Sequence, residues 1–282
     1  IIRKDDDMKK NVLLIIVFVI TCIVSITIYL TSSNNPIIES GTLYYRNDLD
    51  ICSYDFSKKE EAKIKVKNNN TNEYMPYKDG YISVSFSDNS NTSIISNNID
   101  GYINDISFEG LPHLIGVYQN RLYVLSTGEI SNVHLIDLKS GKNDLLLENV
   151  SACALAENSL FYIKDNILYL SALDTANKQK ICDNAIDIKS SDAALFVKKD
   201  DGIFIYNNEI GNLDLFTSKD KYDILAVVDD QNIIVKKQDN NDEISYPLVR
   251  FKTHYYLLNI SGKKCKLKEF DGKYISNLHY YS

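Results

Sequence analysis

The chain has 282 residues, 44% of them hydrophobic and 24% charged, with a formal net charge of −7. That length and balance exclude a wholly disordered segment and allow a sizeable buried core. The negative sign argues against nucleic acid as a partner, because gripping a phosphate backbone needs a clustered excess of Lys and Arg.

Residues 1–10 read as a short cytoplasmic tail, in which Met8, followed by Lys9 and Lys10, also has the look of a natural start. Residues 11–31, NVLLIIVFVITCIVSITIYLT, carry no charge. As a helix they are long enough to cross the roughly 30 Å hydrocarbon core of a bilayer, so one transmembrane helix is predicted there. Lys9 and Lys10 precede it and no basic residue follows until Arg46, which places the amino terminus in the cytoplasm and exports the rest. The apolar run is longer than the roughly 7–15 residues of a cleaved leader and lacks an Ala-x-Ala, so it reads as a retained anchor; the alternative is cleavage and secretion. Cys22 within it reads as a lipid-facing side chain. Residues 32–40 are polar, with one Pro, and read as a linker to a domain over residues 41–282.

From residue 41 onward no helical stripe is found. Short runs of Ile, Val, Leu, Tyr and Phe alternate instead with Asn, Asp, Ser and Gly, which predicts an all-β domain. A unit of strand, tight polar turn and second strand recurs as EYMPYKDGYISVSF, LIGVYQNRLYVLS, CALAENSLFYIK, IDIKSSDAALFVKK and ILAVVDDQNIIVKK. The second strands begin at Tyr81, Leu122, Leu160, Leu195 and Ile233, about 38 residues apart, each followed by further strand-like sequence. Four strands repeating at that period describe a propeller blade. The stretch from Gly41 starts at a second strand, while GKYISNLHYYS at the carboxyl end supplies an inner strand with nothing after it. Joined, the two ends complete one blade and close a ring of six. Residues 239–252, between Ile233 and the strand THYYLLNI, read as a protruding hairpin or loop.

The pairs LYYRNDLDICSYDF, LFYIKDNILYLSALD and LFVKKDDGIFIYN resemble the repeats of six-bladed propellers of the YWTD type, as in lipoprotein receptor-related proteins, and of their bacterial counterparts. The shared pattern is Leu-aromatic-aromatic, turn, aliphatic-aromatic; the Tyr-Trp-Thr-Asp tetrad itself is absent. What the resemblance implies is an exported ring that binds a partner on one face, and it transfers no catalytic residue.

Chemistry-bearing residues are sparse. His113, His134, His254 and His279 form no HxH or HxxxH pair, but His113 and His279 each fall near an inner strand, where a propeller could bring them together at its channel. Asp192, Asp229 and Asp230 sit in turns and read as residues that bond their own backbone. The absence of Trp excludes sialidase-type Ser-x-Asp-x-Gly-x-Thr-Trp boxes, and no GxSxG, GxxxxGK[ST] or GxGxxG is present. Tyr44, Tyr162 and Tyr169 read as packing between blades. Cys153 on an inner strand and Cys182 on the outer strand of the same blade lie beyond disulfide reach, and the Cys spacing supports no CxxC site. Sequons at Asn69, Asn91 and Asn259 are expected by chance in so Asn-rich a chain. No catalytic, cofactor or metal residue is assigned. The sequence therefore reads as a membrane-anchored, extracytoplasmic propeller that binds an unknown protein or cell-envelope polymer; the alternative is a propeller hydrolase of carbohydrates or lactones with its site at the central channel.

Overall fold

The computed structural model describes residues 36–66, 70–86, 92–99, 102–128, 130–156, 158–173, 178–191, 194–218, 222–238, 253–261, 263–271, 273 and 275–281. The expected membrane span over residues 11–31, the segment 239–252, Asp192, and the sequon residues Asn69 and Asn91 lie outside them. Among the described residues no helix is long and apolar enough to cross a membrane.

Among the described residues the first strands are β1 (Thr42–Asn47), β2 (Asp50–Asp55) and β3 (Glu60–Lys63). Four-stranded meanders follow: β4 (Thr71–Tyr77), β5 (Gly80–Phe86), β6 (Thr92–Ile99) and β7 (Tyr102–Glu109); then β8 (Leu111–Tyr118), β9 (Arg121–Thr127), β10 (Asn132–Asp137) and β11 (Asn143–Leu147). Next come β12 (Ala152–Ala156), β13 (Ser159–Lys164), β14 (Ile167–Ala172) and β15 (Lys178–Asp183), and β16 (Ala185–Ser190), β17 (Leu195–Lys199), β18 (Gly202–Asn207) and β19 (Asn212–Thr217). The last meander is β20 (Asp223–Val227), β21 (Asn232–Gln238), β22 (Thr253–Asn259) and β23 (Lys264–Lys266), after which β24 (Ile275–Tyr281) pairs back onto β1. The six antiparallel sheets are the blades of a six-bladed propeller, and β24-β1-β2-β3 is the one assembled from both ends of the domain. All five expected second strands fall in β5, β9, β13, β17 and β21.

Local chemistry fixes the hairpins. Asp165 and Asn166 both take positive φ, 53° and 59°, between the paired residues Lys164 and Ile167, the two-residue turn whose twist matches the flanking strands. Asn and Asp adopt that conformation at less expense than other non-glycine residues. In the closing blade Thr42 lies opposite Tyr281, Tyr44 opposite His279 and Asn47 opposite Ile275, with a bulge between Tyr44 and Arg46. Gly41 sits at φ 98° where a Cβ would collide with the Tyr280 ring, so only glycine lets the chain enter this blade.

The core lies between blades rather than within them. Leu43, Tyr54 and Phe270 pack with Ile234 and Leu257 between the closing blade and β20–β23, and four more apolar clusters fill the interfaces from β4–β7 round to β20–β23. The sixth interface, between the closing blade and β4–β7, has no such cluster among the described residues. It carries a stack of Tyr44 on Tyr74 and Tyr74 on Tyr81, at centroid separations of 5.5 and 5.1 Å. The buried polar side chains Thr71, Glu73, Ser83, Ser85, Ser93 and Asn97 all belong to the blade β4–β7.

Candidate functional site in the central channel

The six inner strands β24, β4, β8, β12, β16 and β20 surround a cavity of about 480 Å³. Its wall mixes apolar and polar groups: Met75, Ile115, Ala154, Ile188, Leu225 and Leu278 are each contributed by a different inner strand, with Tyr77, Ser190, Ser191 and Tyr280 beside them. That volume lies within the range of small-molecule sites. Bulges in β4, β8, β16, β20 and β24 interrupt the simple alternation of side chains. A bulge re-aims the residues beside it, which is how a strand at a site points side chains that strict pleating would turn away.

On one side of the channel the fold brings together His113 from β8 and His279 from β24, the two histidines that the sequence places near inner strands. What joins them is Glu73 of β4, the strand between. His279 Nε2 lies 2.8 Å from Glu73 Oε1, His113 Nδ1 lies 3.0 and 3.1 Å from the two carboxylate oxygens, and the Leu114 N–H donates to Oε2 at 3.1 Å. The imidazole rings lie 6.4 Å apart, 29° from parallel. Glu73 is 1% exposed. Burial alone would raise its carboxyl pKa, but the charge and hydrogen bonds of His113 and His279 more than offset it and hold the group at about 2 against an ordinary 4.5. A carboxylate accepts only, so each imidazole turns an N–H toward it. His113 Nε2 and His279 Nδ1 are thereby left without a hydrogen bond among the described residues.

Glu73 went unsinglied in the sequence, although a signal existed. Thr71, Glu73 and Met75 share one phase of β4 and all are buried, so an ionisable residue stood at an inward position of an inner strand. The neighbouring contacts reinforce its placement: Asn277, at φ 52° in the β24 bulge, donates from Nδ2 to the Asn72 carbonyl at 2.9 Å, and Arg46 bonds the Asn72 side chain.

The other candidates are not at the channel. His134 lies 3.1 Å from Asn143 Oδ1 on an outer hairpin, and His254 lies 3.4 Å from Asp271. Asp229 accepts from the Gln231 N–H at 2.8 Å, the turn role expected of it. Tyr162 stacks on Tyr169 at 5.4 Å beside the cluster between β8–β11 and β12–β15, as expected of inter-blade packing. Cys153 on β12 and Cys182 on β15 are free thiols, separated by the breadth of their blade. Burial pushes the Cys153 thiol up to about 12. Its thiolate is then scarce at pH 8, so alkylation of Cys153 by iodoacetamide is expected to run at least ~100-fold slower in the folded protein than in urea, read by mass spectrometry of the labelled peptide. Equal rates would mean that β12 does not shield it.

Among the described residues no group of three His, Cys, Asp or Glu is placed to hold a metal ion. The arrangement does offer two imidazoles, oriented by one buried carboxylate, at the edge of the cavity. Such a pair can accept or donate hydrogen bonds to a ligand, or move a proton if a nucleophile is brought to it.

No known family model matches the sequence, and no curated protein matches it either. Solved structures do. TolB from Acinetobacter baumannii superposes over 92% of this chain and 71% of its own, with a TM-score of 0.60 and 11% identity. Kluyveromyces lactis Hsv2 covers 80% of this chain and 74% of its own, at a TM-score of 0.53 and 12% identity. A puromycin-hydrolysing peptidase from Mycobacterium tuberculosis covers 82% of this chain but 44% of its own, at a TM-score of 0.51 and 12% identity. At those identities the likeness is one of fold, and the set contains a peptidase, so the fold by itself separates neither binding from catalysis nor one partner from another.

Proposed function

We propose that this chain is a membrane-anchored, extracytoplasmic propeller acting as a non-catalytic binding module at the cell envelope, with its ligand or partner segment entering the central channel. The observation that carries the reading is the channel itself: a cavity of about 480 Å³ that combines apolar side chains with convergent polar groups, contributed to by every blade. The uncharged run over residues 11–31, the basic pair before it and the resemblance to exported YWTD propellers support the membrane location. The partner is an envelope protein or polymer.

A second reading, a hydrolase, is favoured by Glu73 and its two imidazoles, a carboxylate–histidine cluster at the channel. Against it, neither His113 nor His279 bonds a Ser, Thr or Cys among the described residues, and the Ser190 hydroxyl donates instead to the Leu155 carbonyl at 2.6 Å. Without a nucleophile–base pair the binding reading stands first.

Site-specific photo-crosslinking in the full chain tests it. A photoreactive residue replacing Leu225, on the channel wall, is expected to give a discrete adduct in cells. The same residue replacing Leu146, exposed on the outer strand β11, is expected to give none. Adducts of equal yield at both positions, or none at Leu225, would remove the channel as the point of contact.

A further inference from the structure

The channel lining contains the basic residues His113, His279 and Lys189 but no Asp or Glu, Glu73 lying behind its two histidines. In a chain whose acidic residues outnumber Lys and Arg by 38 to 31, a cavity that holds three basic side chains and no carboxylate departs from the average surface. Lys189 carries the point further. It stands on β16, the inner strand directly across the ring from β4, it is half-buried, and it has no hydrogen-bond or ion-pair partner among the described residues. An ammonium withdrawn partly from water into the channel wall is unfavourable unless something negative completes it. Its charge acts on Cys153, a thiol that burial nonetheless keeps neutral. Nothing in the described wall supplies the missing charge.

The rest of the wall limits what the ligand is. Beyond the bases, the cavity presents Leu, Ile, Val, Met and Ala side chains from all six inner strands, together with Tyr77, Tyr280, Tyr281, Ser190 and Ser191. A hydrophilic polyanion would leave the apolar share of that surface unmatched, whereas a single acidic group on an apolar body meets both the bases and the aliphatic side chains around them. From these observations we infer that the channel binds a carboxylate carried on an apolar body, with Lys189 on one side as its ionic partner and, on the other, the outer nitrogens of His113 and His279, which donate to it when the rings are protonated. Two sources share that chemistry, a free aliphatic acid and the carboxyl terminus of an apolar peptide. The inference rests on the channel being the binding site and adds the chemical class of what it binds.

Calorimetric titration of the full chain in detergent with octanoate and with octanol, and with the peptide Ala-Leu-Val in free-acid and amidated forms, tests it. At least one acid is expected to bind about tenfold or more tightly than its neutral counterpart, the contrast a charge-assisted hydrogen bond supplies. Octanoate binding alone assigns the free acid, and peptide binding alone assigns the chain terminus. Lys189→Met is expected to weaken the acid about tenfold with the melting temperature unchanged, and Lys189→Arg to restore it. Neutral and acidic probes binding equally, no binding of any probe, or an indifferent Lys189→Met would overturn the inference. Crosslinking through Leu225 alongside neutral probes that bind as well as acids would overturn the carboxylate while leaving the channel reading in place.

Discussion

Deleting residues 275–282 is expected to abolish the folded ring, and placing the same strand ahead of β1 is expected to restore it. β24 is the inner strand of the closing blade. Without it β1 becomes an unpaired edge, the half-buried Leu278 and Tyr280 no longer cover the apolar cluster around Leu43 and Phe270, and Glu73 loses His279. An open propeller exposes both an edge and an apolar flank, so the deleted protein should show no cooperative thermal transition and rapid proteolysis. The register supplies the control. Because Tyr281 already lies opposite Thr42, joining Ser282 to Ser40 makes β24 and β1 consecutive strands of an ordinary hairpin. That permuted chain, beginning at Lys273 and lacking the residues before Ser40, should melt within about 5 °C of a domain trimmed to the same start, the equivalent of about 1–2 kcal/mol. A deletion that melts normally would show that the ring does not depend on its seam.

Glu73→Gln is expected to lower stability by about 3 kcal/mol near neutral pH, because it removes the buried charge that both imidazoles and the Leu114 N–H address. For a domain of this size that corresponds to a fall of roughly 6–12 °C in Tm. The pH dependence separates this from mere misfit. The folded carboxyl sits at about 2 and its ordinary value is 4.5, so it is depressed on folding. Its stabilisation is therefore complete above about pH 4.5 and is lost as the pH falls towards 2. Wild type and Glu73→Gln should thus converge in Tm across that window. A gap that stays constant with pH would assign the loss to packing instead of charge.

The ring was legible because a propeller repeats its signals. Paired apolar runs recurring about 38 residues apart, Asp165-Asn166 at a hairpin, and complementary ends sufficed to give the blade number and the closing strand. Tyr162 and Tyr169 could be assigned to inter-blade packing because aromatic residues on central strands have little else to do. The site was legible in part. His113 and His279 stood out as rare residue types near inner strands, but whether they meet depends on bulges, and a one-residue bulge leaves little trace in hydrophobic pattern. Glu73 was hidden by its surroundings in EYMPY, where a single carboxylate at the head of a strand looks like an exposed edge residue. Lys189 was concealed likewise in IDIKSS. That these residues are buried or half-buried follows from ring closure, which juxtaposes strands distant in sequence, and no local window contains it.

The uneven lining of the blade interfaces has a bearing on how the ring moves. Five joints are sealed by aliphatic and aromatic clusters, while the joint between the closing blade and β4–β7 is held by stacked tyrosines, the Asn277–Asn72 contact and the Glu73–His279 bond. Apolar clusters separate only when a large hydrated surface is created, whereas a polar joint can admit water and re-form its bonds with it, so opening takes least work there. The molecule is thus better pictured as a split washer than as a uniform ring. Its slit runs beside His279, and whatever occupies the channel would act as the wedge or the clasp.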